Sequence, residues 1–346
     1  MSRHRSARKS RGSRARGSLR SRAAFPILAA VAAVVLLAVW VAMDLPPLSG
    51  GDSDAKARSG DPGWSATPAT PASPSPSSST TPTPSPSPSP SADPDHVLSE
   101  QLAPILNATT ASLSVAVLDV GGGDSADYGV QAGKTYDTAS IVKVDILAAL
   151  LLKAQDQGRV LTAQEKKYAT SMIQVSDNAS ADALWLAIGG ADGLDAANKR
   201  LGLTATSGGS GPLWGLTQST AADQLALLSA VFGDDSDSPL GSRSRTYIQG
   251  LMNGVSADQD WGVSAAGSVT GLKNGWLQRT ATKLWDINSI GRIVADGHGY
   301  LVAVLSSGNA SKEAGISLVE KAARTAVAAA VSVAVSVSVS ASGDPT

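Results

Sequence analysis

SIVKVDILAALLLK, residues Ser140 to Lys153, is the stretch on which the reading of this chain turns. Apolar residues fall on nearly every side of a 3.6-residue period, so as a helix it has little polar surface and belongs inside a domain. It opens with Ser140, and Lys143 follows three residues later. That spacing puts hydroxyl and amine on one face, one turn apart. A lysine desolvated by surrounding Ile, Val and Leu side chains has its pKa lowered and becomes able to take a proton from the serine. A helix beginning at Ser140 also aims free backbone N–H groups at a developing oxyanion. Taken alone, the same residues more readily describe a capping serine followed by a surface lysine.

Working outward, the elements around this helix segregate by type. Val97 to Leu106 reads as a helix. Ser112 to Val120 alternates apolar residues and ends at Gly121-Gly122-Gly123, a strand entering a turn, with a second strand around Tyr128. After the central helix come further helical segments broken at Gly158, Gly189-Gly190 and Gly202, then a Gly-rich loop over residues 207–218 and a helix from Asp223 to Phe232. Three strands follow, Val269–Trp276, Leu284–Val294 and Tyr300–Ser306, and a last helix from Lys312 to about Ala329. A strand pair, a helical block, three strands and a helix predict an α+β fold. The expected form is an antiparallel five-stranded sheet flanked by helices, with a mostly helical lobe, over residues 96–330. The remaining tail, 331–346, alternates Val and Ser. It reads as a low-complexity end, with an edge strand as the other possibility.

The segments before this domain are of another kind. Residues 1–22 carry nine Arg and Lys and no acid, although the whole chain has 28 basic and 29 acidic residues. Residues 23–346 therefore carry ten more acidic than basic groups, which argues against nucleic acid as a partner of the folded part. Residues 23–43 (AAFPILAAVAAVVLLAVWVAM) form an uncharged apolar run long enough to cross a bilayer as a helix. The basic block before it predicts a single pass with the N-terminus cytoplasmic and everything after Asp44 outside the cell membrane. A retained anchor is expected over a cleaved signal, because Trp40 sits where a cleavage site would want a small residue. Residues 44–95 are dominated by Pro, Ser and Thr and predict a disordered, polyproline-like linker, whose Pro-rich part alone reaches on the order of 90 Å. The chain has no cysteine, so disulfides, thiolate metal sites and a lipid-modified cysteine are excluded.

Two more motifs join Ser140-Ile141-Val142-Lys143. Ser176-Asp177-Asn178 is an S-D-N, and Lys273-Asn274-Gly275, on a predicted strand, is a variant of K-T-G. The S-x-x-K matches at Ser6 and Ser53 have no packed helix to position their lysines. With these motifs in this order, the region from about Leu113 to Leu305 resembles the class A β-lactamase-like, penicillin-recognising serine hydrolases. The segment Val175–Gly190 (VSDNASADALWLAIGG), the stretch Thr217–Asp223 (TQSTAAD) and the run Asn288-Ser289-Ile290-Gly291 are similar to that family in kind and order. The resemblance implies that Ser140 attacks the acyl carbon and that Lys143 is base or proton relay. It implies that Ser176 passes a proton to the departing nitrogen and that Asn178 binds the substrate amide and holds Lys143. Lys273 would then face a substrate carboxylate, with Asn274 in the third-motif hydroxyl position. Gly275 would let the strand edge approach the ligand, and the N–H groups of Ser140 and Trp276 would form the oxyanion hole. No cofactor and no metal is implied.

Two departures stand out. Asn274 replaces the usual Thr or Ser. From Ala196 to Ala222 there is no Asp or Glu, whereas the family uses a glutamate there to activate water. An acyl-enzyme would then form and persist. Other candidates are weaker: His298 reads as a turn residue, Asp234, Asp235 and Asp237 as a solvated loop without calcium-site spacing, and Trp214, Trp261 and Trp276 as core or cleft residues. The expected ligand is a β-lactam or a cell-wall peptide. The expected activity is a slowly deacylating serine hydrolase or a D-alanyl-D-alanine carboxypeptidase-like peptidase, and the alternative is a non-catalytic muropeptide- or β-lactam-binding module.

Overall fold

The computed structural model describes residues 93–129, 134–233 and 238–342. The predicted basic segment, membrane helix and all but the end of the linker lie outside them, as do Asp234, Asp235 and Asp237. Among the described residues, no helix is long and apolar enough to cross a membrane.

Helix α1 (Pro94–Leu106) starts at Asp93, whose carboxylate accepts from the Asp95 amide, and carries a proline in its first turn. Strands β1 (Ser112–Asp119) and β2 (Ser125–Tyr128) form the predicted hairpin. The helical block comprises α2 (Val142–Asp156), α3 (Ala163–Gln174), α4 (Asn178–Ile188) and α5 (Gly190–Leu201), then α6 (Ala221–Phe232) and α7 (Ser242–Asn253). A two-stranded ribbon pairs β3 (Tyr136–Asp137) with β4 (Gln218–Ser219). Strands β5 (Ser268–Gln278), β6 (Trp285–Ala295) and β7 (His298–Asn309) close the sheet. Its order is β2-β1-β7-β6-β5, antiparallel throughout. This is the α+β arrangement expected. His298 is the exposed first residue of β7, directly after the Asp296-Gly297 turn.

The two-residue period of the strands divides the core. On β7, Leu301, Ala303 and Leu305 enter the cluster formed with the helical block, while Tyr300, Val302 and Val304 face the cluster containing Leu98 and Leu102 of α1. That second cluster is completed by the last helix, α8 (Lys312–Ser342). The predicted low-complexity tail is therefore corrected: the helix runs through the Val/Ser alternation to Ser342. Leu318, Val319, Ala322, Ala326 and Val333 are buried along one face. Once that face is docked, each further residue adds a hydrogen bond without a new nucleation cost, and the weak helix preference of Val and Ser is overridden.

Candidate active site

Ser140 lies in a 3-10 turn, Ala139–Ile141, that leads into α2. The α-helix proper starts at Val142, two residues later than the sequence predicts, and Ser140 is half-buried at its mouth. Ala139 adopts φ +49°, an uncommon left-handed conformation for a residue with a Cβ, and it bends the chain into the turn. Two elements hold the turn. From β6, the Asn288 amide donates to the carbonyls of Asp137 (2.9 Å) and Thr138 (3.0 Å). From β5, Gly275 approaches so closely that a methyl group on it would lie 2.8 Å from the Ser140 nitrogen and 2.7 Å from the Thr138 oxygen. The missing side chain thus lets the strand edge close against the Ser140 turn, which sets the backbone of Gly275 beside it.

Lys143, one turn beyond Ser140, has no exposed surface. Its Nζ donates to the Ser176 carbonyl (2.6 Å), to Asn178 Oδ1 (2.8 Å) and to Ser176 Oγ (3.1 Å). The arrangement depends on Ser176, which sits at φ +55° immediately before α4 and offers both its carbonyl and its hydroxyl to the amine. Asp177 caps α4 by accepting from the Ser180 amide at 2.7 Å, so the S-D-N triplet is a helix start as well as a cluster of polar groups. Lys273, from the fully buried middle of β5, reaches the same hydroxyl: its Nζ donates to Ser176 Oγ at 3.1 Å and to the Asn274 carbonyl at 2.8 Å.

Both amines are drained of basicity by burial. Lys143 is pushed down to about 8, desolvation outweighing the carboxylates of Asp177 and Asp182 that favour its charge. Lys273 is held well below the ordinary lysine range, by burial first and by the neighbouring Lys143 second. A hydroxyl bridging two lysines, one of which titrates near neutrality, is suited to pass protons rather than to hold a fixed charge.

Ser140, Lys143, Ser176, Asn178, Lys273 and Gly275 are therefore brought together from α2, the start of α4 and β5. A sequence profile described as Beta-lactamase enzyme family matches residues 155–330.

The chain belongs to the beta-lactamase enzyme family.

At the level of fold and family it is a serine hydrolase. Among solved structures it is similar to a class A beta-lactamase from Bacteroides cellulosilyticus, with a TM-score of 0.58, 19% identity and coverage of 69% of this chain and 99% of that one. It is also similar to TLA-3 extended-spectrum beta-lactamase, with a TM-score of 0.59, 15% identity and coverage of 67% and 97%. Identities at this level speak to fold alone. In sequence it is 30% identical over 178 residues to the protein named lipoprotein LppW of Mycobacterium tuberculosis and Mycobacterium bovis. The match covers 49% of this chain and 55% of the relative, so the chain spans about half the length of the curated relatives it matches.

Within this beta-lactamase-family domain, the side chains of two predicted site residues, Asn274 and Trp276, face elsewhere. The buried Asn274 amide nitrogen donates to the carbonyls of Gln259 (2.7 Å) and Trp261 (2.9 Å). Along β5 the alternation sends Lys273 and Gly275 to the Ser140 side and Asn274 to the other, where it anchors the loop before β5. Trp276 shares that side: its ring lies 6.0 Å from Trp261, with Lys312 Nζ 4.2 Å above it.

Sequence reasoning missed two participants and underrated a third. Asn288 was legible only as part of a strand. Asp182 follows Asn178 by four residues on α4, a spacing that already puts both on one helix face. Trp214 is underrated as a cleft candidate. It is buried in a 3-10 turn, Trp214–Leu216, with its ring 4.9 Å from Lys143 Nζ and its Nε1 donating to Asp182 Oδ1 at 2.7 Å.

Proposed function

We propose that this domain is an acyl-transfer catalyst that opens a β-lactam, or cleaves a related cell-wall peptide, through an ester on Ser140. The observation that carries this reading is Ser176 Oγ, held 3.1 Å from both Lys143 Nζ and Lys273 Nζ beside the turn that presents Ser140. In the acylation step Ser140 Oγ bonds to the acyl carbon as the neutral amine of Lys143 takes its proton. The scissile C–N bond then breaks, and the departing nitrogen receives a proton through Ser176 Oγ. Lys273 supplies positive character for a substrate carboxylate when it carries a proton. The N–H groups of Ser140 and Trp276 stabilise the oxyanion; a single such donor is typically worth about 3 kcal/mol. Asn178 binds the substrate amide while keeping Lys143 in place, and Asn274 supports the loop before β5 rather than the substrate. Release of the ester is slow, because residues 196–222 contain no carboxylate.

On this reading residues 23–43 anchor the chain in the cell membrane and residues 44–95 hold the domain off the outer surface. The sequence has no cysteine to carry a lipid. The test is labelling of the purified full chain with a fluorescent penicillin. Covalent label that is absent in Ser140→Ala is the expected result. An unlabelled wild-type chain would leave the non-catalytic binding module as the surviving account.

A further inference from the structure

We propose that Trp214, pinned by Asp182, is the positioning residue that keeps water from the Ser140 ester and so sets its lifetime. This inference rests on the acyl-transfer reading above. Hydrolysis of the ester requires water to bond to the acyl carbon while a base takes its proton, the bond from that carbon to Ser140 Oγ breaks, and Oγ regains a proton. Both the space for that water and the base must lie beside the Ser140 ester, one helical turn from Lys143. Three of the amine's approaches are taken by the Ser176 carbonyl, Ser176 Oγ and Asn178 Oδ1. The indole of Trp214 covers another, at 4.9 Å, and Lys143 has no surface open to solvent.

The indole is built into place. Its Nε1 donates to Asp182 Oδ1 at 2.7 Å, so the acidic side chain beside it is engaged as an anchor. The backbone of the same turn lies on the nucleophile's turn: a methyl on Gly215 would be 3.9 Å from the Ala139 Cα. The loop is stapled elsewhere too. Trp185 Nε1 donates to the Gly211 carbonyl (2.8 Å), and the amides of Gly208 and Gly209 donate to Asp195 (2.8 Å) and Thr217 (3.1 Å). A loop tied at this many points stays closed over Lys143 without a ligand. It presents an aromatic ring where a water and its base would have to sit. Removing the ring leaves a space larger than one water, lined on one side by the polar groups of Lys143 and Asp182.

The test measures formation and loss of the fluorescent penicillin label separately, on the purified full chain and four variants. Trp214→Ala opens the space, Trp214→Glu puts a carboxylate into it, Trp214→Phe keeps a ring without the N–H, and Asp182→Leu removes the anchor. The wild type is expected to hold its label for hours. Label once formed on Trp214→Ala and Trp214→Glu should be lost at least tenfold faster than from the wild type, with Trp214→Phe and Asp182→Leu in between; the new carboxylate of Trp214→Glu favours the charged form of Lys143 and should slow label formation in that variant. A general structural defect would lower the amount of chain that labels without hastening loss from the chains that do, so the rate of loss separates the roles. Label formation also reports a folded site. If the alanine and glutamate variants do not label, the milder pair decides: loss at the wild-type rate from both overturns the proposal. It is overturned equally by unchanged loss from Trp214→Ala and Trp214→Glu. A wild type that labels and clears within seconds sinks this inference but not the acyl-transfer reading. A wild type that never labels removes the reading and this inference together.

Discussion

Labelling of Ser140 should climb with pH and level off near pH 8. The perturbation is pH alone, and the group that responds is Lys143, because its neutral form takes the serine proton. Burial brings its pKa from 10.5 down to about 8, a difference on the order of 3 kcal/mol between the charged and neutral forms. At that pKa about 1% of the lysine is neutral at pH 6 and about half at pH 8, so the second-order labelling rate should rise about 50-fold across that interval and less than about twofold beyond it. A lysine at its solution value would give a rate that climbs about tenfold per pH unit through pH 9. The assay is the rate of fluorescent penicillin incorporation under pseudo-first-order conditions, measured from pH 6 to pH 9.5. A profile flat between pH 6 and 8, or one still rising tenfold per unit above pH 9, would falsify the assignment of Lys143 as the desolvated base.

Asp145, fully buried on α2, is raised to about 7 by desolvation, which its bond from Gln224 Nε2 (3.2 Å) only partly offsets. Its folded pKa exceeds the unfolded value of 3.8, so stability it shares in below pH 4 is lost as pH rises to 7, by on the order of 4 kcal/mol at full ionisation. Asp145 Oδ2 and Gln224 Oε1 both lack partners. Asp145→Asn should therefore raise stability to urea at pH 8 by a few kcal/mol and flatten its decline between pH 4 and 7; equal pH slopes in the two proteins would refute this. Gly275→Ala forces a methyl to within 2.7–2.9 Å of backbone atoms of Thr138, Ser140 and Ile141. It should destabilise the fold by about 1–3 kcal/mol and, by displacing oxyanion donors, slow label formation by about 100-fold; wild-type kinetics in this variant would show that the strand and turn do not form the oxyanion site. Asn274→Ala strips the Gln259 and Trp261 carbonyls of their donor and should cost about 1–3 kcal/mol in urea unfolding, with label formation falling far less than in Ser140→Ala; a loss as complete as that variant's would instead put Asn274 at the substrate.

Much of this molecule is written locally. The apolar helix after Ser140, the alternating strands and the glycine breaks between helices follow from periods of 3.6 and 2 and from backbone freedom at glycine, and the α+β order follows from their sequence. The three motifs are visible because each is a few residues long. The end of α8 was not legible: alternating Val and Ser favours a strand in isolation, and only docking of the preceding turns on the sheet carries the helix onward.

What the chain's letters determined by themselves is which groups are available: one serine–lysine pair on a buried helix, an S-D-N, a K-N-G, and a loop with no acid. What tertiary structure decided is where they meet. Ser176 becomes a bridge between Lys143 and Lys273 because a left-handed turn and the middle of β5 arrive at one point. Asn274 turns away because a strand alternates its faces, and Trp214 covers Lys143 because Asp182, 32 residues earlier, holds its indole. Contacts between residues so far apart in sequence arise only when separate elements are packed together, and no local pattern encodes them.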